Sequence, residues 1–253
     1  MLKARQICDR MNSLYPENLK ASYDNVGLMV GSLDKDVKRV FLTLDLTREA
    51  MDEALNKHAD MIITHHPLIF HPLYSIDTDK DPGSIVRDLI KYDMVLYSMH
   101  TNFDAVRMNS LLGEMLNLED MELLSEKENC GVIGITKTNN LKEFAQMVKK
   151  AFSLNGVDFI GNLDVKIERV ALCGGSGSSM IMDAYSKNAD IYLTGDVSYS
   201  RALEAKRLGQ NILIIPHFVE HFFALQAEKD LKELDKSIEV IHTEINPDPF
   251  TRF

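Results

Sequence analysis

Apolar positions recur at roughly helical spacing through the first fourteen residues, at Leu2, Ile7, Met11 and Leu14, and Tyr15-Pro16 stops the run. Tyr23 to Gly31 is an apolar stretch punctuated by glycine with polar residues at its mouth, which reads as a loop feeding a strand. The pattern then shortens to β-branched runs. Arg39 to Leu44 predicts a strand ending at Asp45, and Thr47-Arg48-Glu49-Ala50 predicts an N-cap and a helix to about His58. The run Ile62-Ile63-Thr64 predicts a buried strand, and Pro67 denies it a further ladder hydrogen bond, so His65 and His66 fall where the strand ends. This β-α-β order implies a right-handed parallel crossover.

Farther on, helices are predicted at Gly83 to Tyr92 and about Arg107 to Leu116, with a strand at Met94 to Met99 between them. Leu118 to Glu122 is acidic and poorly periodic and is expected to be a link. Cys130 to Thr136 reads as a strand and Leu141 to Phe152 as an amphipathic helix.

The second half echoes the first. Arg39-Val40-Phe41-Leu42 matches Arg169-Val170-Ala171-Leu172, and the stretch ending in Thr64 matches the one ending in Thr194, both at an offset of 130 residues. The expected fold is therefore α/β, with two similar β-α-β-based domains from an internal duplication and mixed sheets flanked by helices. Residues 1–125 with 211–253 are expected to form a metal-site domain, and 126–210 the related second domain.

The copies differ at their strand ends, which is where open α/β sheets hold ligands. Thr64-His65-His66 in the first stands against Thr194-Gly195-Asp196 in the second. At the next strand, His100 is followed by Asp104, and His217 by Glu220. His65, His66, His100, Asp104, His217 and Glu220 thus gather four imidazoles and two carboxylates at predicted strand ends. Imidazole with carboxylate suits zinc, iron, manganese or nickel. Six donors exceed one tetrahedral site and suit two ions. His221, four residues after His217, competes with Glu220 for the last place. Asp45 and Asp196 are possible supports behind the ligands, and no catalytic residue is singled out. His58, His71 and His242 read as structural. Cys173-Gly174-Gly175-Ser176-Gly177 reads as a tight strand-to-helix turn.

Composition narrows the partners. A formal charge of −10 over 253 residues, with no basic stripe, argues against nucleic acid. Three dispersed cysteines without a C-x-x-C pair point to neither a disulfide framework nor a thiolate zinc site, and fit a reducing cytoplasm. No stretch reaches the ~18 apolar residues of a membrane span or forms a leader, so a soluble, unprocessed, cytoplasmic protein is expected.

Taken together, Asp24-Asn25-Val26-Gly27-Leu28, Asp45-Leu46-Thr47, Ile63-Thr64-His65-His66-Pro67-Leu68-Ile69-Phe70, His100-Thr101-Asn102-Phe103-Asp104, Thr194-Gly195-Asp196 and the His217 segment resemble the Nif-three-like (NGG-one-interacting factor three) family. Its members are also called GTP cyclohydrolase I type 2 homologues. The resemblance implies two divalent metal ions per chain, assembly into a toroidal homohexamer, and ligands at His65, His66, His100, Asp104, His217 and an acid after it. In one common family form that acid lies four residues past the last histidine, where this chain has His221; in others it lies three past, as Glu220 does. The resulting expectation is a metal-dependent hydrolase of a small substrate. The alternative is a non-enzymatic metal-binding regulatory protein or interaction scaffold.

Overall fold

The computed structural model describes residues 1–251. Its first strands are β1 (Leu2–Lys3), β2 (Gly27–Val30), β3 (Asp36–Val37), β4 (Arg39–Thr43), β5 (Met61–Thr64) and β6 (Val95–Ser98). They are followed by β7 (Glu119–Ser125), β8 (Cys130–Ile135), β9 (Asp158–Ile160), β10 (Arg169–Leu172), β11 (Ile191–Thr194), β12 (Ile212–Ile214) and β13 (Glu239–His242). Residues 1–103 and the chain from His221 onward form one compact unit, and residues 104–220 a second. The sequence instead predicts joints near 125 and 210.

In the first unit the sheet order is β13-β4-β5-β6-β2, with β13, β4, β5 and β6 parallel and β2 antiparallel at the edge. Val40 to Thr43 and all of β5 and β6 are buried, as expected of parallel strands covered on both faces. The helix Arg48–Asn56 supplies Ala50, Met51 and Ala54 to a core with Phe41, Ile62 and Leu96. Each large apolar side chain buried there contributes about 1.5–3 kcal/mol. The helix begins where the Thr47 hydroxyl accepts the Ala50 N–H at 3.2 Å. The register pairs Thr43 with Thr64 and Thr64 with Ser98, so the carboxyl ends of β4, β5 and β6 finish level. That alignment brings the residues after them, including His65, His66 and His100, to one end of the sheet.

In the second unit the order is β7-β8-β10-β11-β12-β9, with β10, β11 and β12 parallel and the outer pairings antiparallel. The helix Leu141–Ala151 is capped by Asn140 Oδ1, which accepts from Lys142 N and Glu143 N. The helix Tyr199–Leu208 closes on Gly209 in the left-handed region, φ 74°. The expected link at Leu118 to Glu122 is corrected here: Glu119–Ser125 is strand β7. Its register shifts between Glu119 and Glu122, with Asp120 at φ 49°, and an irregular edge strand carrying exposed acids shows no clean period of two.

Matching contacts recur at the constant offset of the repeat. Asp60 Oδ2 accepts the backbone N–H groups of Lys38 and Arg39 in the first unit, and Asp190 Oδ2 those of Glu168 and Arg169 in the second. His58 and Asn188 both sit at φ 54°. This agreement supports a duplication.

Candidate metal centre

The first unit assembles three imidazoles from two strand ends. The ladder runs past the assigned strands through His66 N to Leu44 O and Met99 N to Thr64 O, each 3.0 Å. Below it, the buried hydroxyls of Thr64 and Ser98 satisfy each other at 2.8 Å. His65 is fully buried, against the rings of Phe103 and Phe223. His66 is half-buried, and although it follows His65 directly, the bend before Pro67 sets its ring centroid 5.2 Å from that of His65. One ring nitrogen from each of His65, His66 and His100 lies within 4.8 Å of the others.

Each of these rings is oriented through Nδ1. His65 Nδ1 bonds the Met99 carbonyl at 2.8 Å, His66 Nδ1 bonds Asp45 Oδ1 at 2.8 Å, and His100 Nδ1 bonds Asp24 Oδ1 at 2.9 Å. A neutral imidazole that donates from Nδ1 keeps its lone pair on Nε2, and such partners both fix the tautomer and raise ligand basicity. Burial pushes the Asp24 carboxyl up, but hydrogen bonds from His100 and Thr101, with the charge of His100, hold it down at about 2. Asn102 Oδ1 accepts the His100 backbone N–H, while its Nδ2 donates to Tyr15 O at 2.7 Å. The loop carrying His100 is thereby tied to the first helix.

The second unit repeats the device. His217 opens a short 3₁₀ segment, and its Nδ1 bonds Asp196 Oδ2 at 2.6 Å while its Nε2 meets Glu220 Oε2 at 2.9 Å. Asp196 reaches it from a left-handed turn, φ 51°, just after β11. With carboxylates on both nitrogens, the hydrogen bond and charge of Glu220, together with Asp196, outweigh burial and raise His217 to about 9. Glu220 is 4 % exposed. The backbone of the Cys173 to Gly177 turn presses on it, since a Cβ at Gly175 would stand 2.1 Å from Glu220 Oε1. Asp104 is half-buried at the head of the π-helical stretch Asp104–Met108, and its carbonyl accepts from Asn109 Nδ2 at 3.3 Å. A π turn within a helix is frequently found at functional sites.

The remaining predicted positions are also placed. The His221 ring lies tilted against that of its neighbour Phe222, with centroids 4.1 Å apart. His58 is exposed, His71 lies against Phe70, and His242 Nε2 meets Glu228. Asp24 was not picked out as a support from the sequence. The polar mouth of the Tyr23 to Gly31 stretch was its signal, but nothing local links it to His100. The donor chemistry of the first unit fits a divalent metal ion, with three imidazoles each engaged at Nδ1 by an oxygen; the second unit offers an imidazole held the same way together with the carboxylates of Glu220 and Asp104.

The family model described as Duf34/NIF3 (NGG1p interacting factor 3) matches residues 2–249. A GTP cyclohydrolase 1 type 2 homolog of Clostridium perfringens (strain 13 / Type A) is 35% identical, over 98% of this chain and 99% of that protein. One of Streptococcus pneumoniae serotype 4 is 33% identical, over 98% of each. The crystal structure of a Bacillus cereus protein related to NIF3 superposes with a TM-score of 0.94 at 27% identity, covering 100% of this chain and 99% of that one. Among the described residues no helix is long and apolar enough to cross a membrane.

Proposed function

Because this chain belongs to the Duf34/NIF3 family, we propose that His65, His66, His100, Asp104, His217 and Glu220 hold two divalent metal ions per chain and that the protein hydrolyses a small substrate with them. The observation that carries this reading is the Nδ1 pattern. Asp24, Asp45, Asp196 and the Met99 carbonyl each take one imidazole by Nδ1, which makes Nε2 the nitrogen for metal on each ring, at His217 once the proton shared with Glu220 is gone. Structural histidines need no such uniform treatment.

When bound, two divalent ions supply Lewis acidity and acidify water at neutral pH. The chain's own residues do the rest. Asp24 and Asp45 keep the rings of His100 and His66 from rotating. Glu220 Oε2 and Asp196 Oδ2 between them set the proton load of His217, which gives up its Nε2 proton to become a ligand. The mixture of imidazole and carboxylate suits zinc, iron, manganese or nickel.

Relatives named GTP cyclohydrolase 1 type 2 homolog make GTP the first substrate to try. The homohexamer implied by the resemblance, and a cytoplasmic setting, belong to the same proposal. Three cysteines without a disulfide agree with a reducing compartment.

The test is product analysis with GTP and a panel of small phosphoesters, for the metal-loaded chain and for His66→Ala, with assembly followed by sedimentation. Metal-dependent turnover, lost in the variant while assembly is unchanged, supports the hydrolase. Turnover that survives in metal-stripped protein and in His66→Ala contradicts it. A loaded protein that turns over nothing in the panel points to the interaction scaffold instead.

A further inference from the structure

Two cysteines meet in the second unit and have no part in the metal reading. Cys130 opens β8 and Cys173 follows β10, and their Sγ atoms lie 3.8 Å apart. β8 and β10 are antiparallel neighbours with Leu172 opposite Val132. Carried one step further, that register sets Cys173 across from Gly131 and puts Cys130 on the other face. Gly131, at φ 76°, breaks the alternation and brings the two thiols together. Cys173 is buried and Cys130 half-buried, so of the two residues Cys130 is the less enclosed.

The surroundings divide their roles. Asn109 Nδ2 donates to Cys130 Sγ at 3.3 Å, which favours a thiolate there. The hydrogen bond from Cys173 lowers the Cys130 thiol below its ordinary value, while the same contact, with burial, raises Cys173, so the shared proton stays on Cys173. Asn109 also ties the pair to the next turn, since its Oδ1 accepts Gly174 N at 2.9 Å. Gly174 and Gly175 in turn abut Glu220, where an added Cβ would lie 3.5 Å from Cγ and 2.1 Å from Oε1 respectively. A shift at Cys173 therefore reaches the Glu220 carboxylate within two residues.

We propose that Cys130 and Cys173 form a reversible dithiol–disulfide site, oxidised by hydrogen peroxide, and that closing the disulfide loosens the hold of Glu220 on metal. The second half rests on the metal reading above; the first does not. The Cys130 thiolate attacks a peroxide oxygen, the O–O bond breaks, hydroxide leaves, and a sulfenic acid forms. The Cys173 sulfur then attacks the Cys130 sulfur, the S–OH bond breaks, and water leaves with the Cys173 proton. Two thiols lose two electrons and two protons, and one peroxide becomes two waters. The sulfurs must close from 3.8 Å to about 2.05 Å, which draws Cys173 and the glycine turn away from their present positions and takes the acceptor from Asn109 Nδ2.

The experiment treats the full chain, stripped of metal, with graded hydrogen peroxide. Peptide mapping follows, and then zinc affinity by chelator competition, with a Cys130→Ser, Cys173→Ser double variant alongside. The expected result is a link between Cys130 and Cys173 that dithiothreitol reverses, with Cys8 left as a thiol. Zinc affinity should fall about tenfold or more in the oxidised wild type and stay unchanged in the treated double variant. No link, a link through Cys8, or irreversible oxidation of Cys130 alone overturns the pair. A link with unchanged zinc affinity overturns the coupling to Glu220. A chain that binds no zinc in either state overturns the metal reading and the coupling with it, while the mapping result still decides the thiol pair.

Discussion

Asp24 Oδ1 lies 2.9 Å from His100 Nδ1, although the two residues are 76 apart in the chain. Asp24 Oδ2 also accepts the backbone N–H and the hydroxyl of Thr101, so one buried carboxylate fixes both the imidazole and the start of the helix after it. Asp24→Ala removes these three contacts and leaves their donors without the carboxylate. The expected cost is about 2 kcal/mol in urea unfolding, with zinc affinity lowered about 10–100-fold. Equal affinity in the variant, measured by chelator competition, contradicts the supporting role.

The metal-free chain should lose stability on the alkaline side. His217 is raised from 6.5 to about 9, chiefly by Glu220. A folded-state value above the unfolded one gives stability that is fully present below about pH 6.5 and is lost as the pH rises through about 9. Urea midpoints of the stripped protein should fall across that window, and His217→Gln should flatten the fall. Zinc displaces the same Nε2 proton, so its affinity should rise with pH over the same range.

Gly175 gives a steric test. It sits at φ 61° and its missing Cβ leaves room for Glu220, whereas Gly209, at φ 74°, has nothing within 4 Å of an added Cβ. Gly175→Ala should displace the carboxylate and lower zinc affinity about tenfold or more. Gly209→Ala should cost only about 1 kcal/mol of backbone strain and leave metal binding alone. Similar zinc affinities for the two variants contradict the glycine cradle.

The repeat makes a paired prediction. Asp60 and Asp190 each close the same backbone lock in their own unit, accepting two N–H groups at 2.7 to 2.9 Å. Asp60→Ala and Asp190→Ala should each destabilise by about 1–2 kcal/mol, read from chemical denaturation. A neutral result at one site and a large loss at the other contradicts equivalence.

Much of this fold was legible because its central strands are short, β-branched and buried on both faces, and because Thr47 announces its helix by capping it. Strand β7 was not, since its bulge and exposed acids hide the alternation. The two-residue pairing of β1 with β3 is too short to leave any period. At the site, His65, His66 and His100 could be found because each follows an apolar run. Asp24 could not, because its partner comes from another sheet strand's end, and the Cys130–Cys173 contact needs the register of β8 against β10 together with the turn at Gly131. Local pattern marks where a strand stops; only the register says what meets there.

Elemental analysis of the untagged chain, purified without added metal, tests the central claim most directly. The comparison is with a His100→Ala, His217→Ala double variant that removes one oriented imidazole from each unit. The account predicts about two divalent ions per chain in the wild type and a sharp fall in the variant, with folding retained by circular dichroism. A wild-type chain that carries no ion and takes up none from zinc, iron or manganese, or a variant that keeps its full complement, contradicts it.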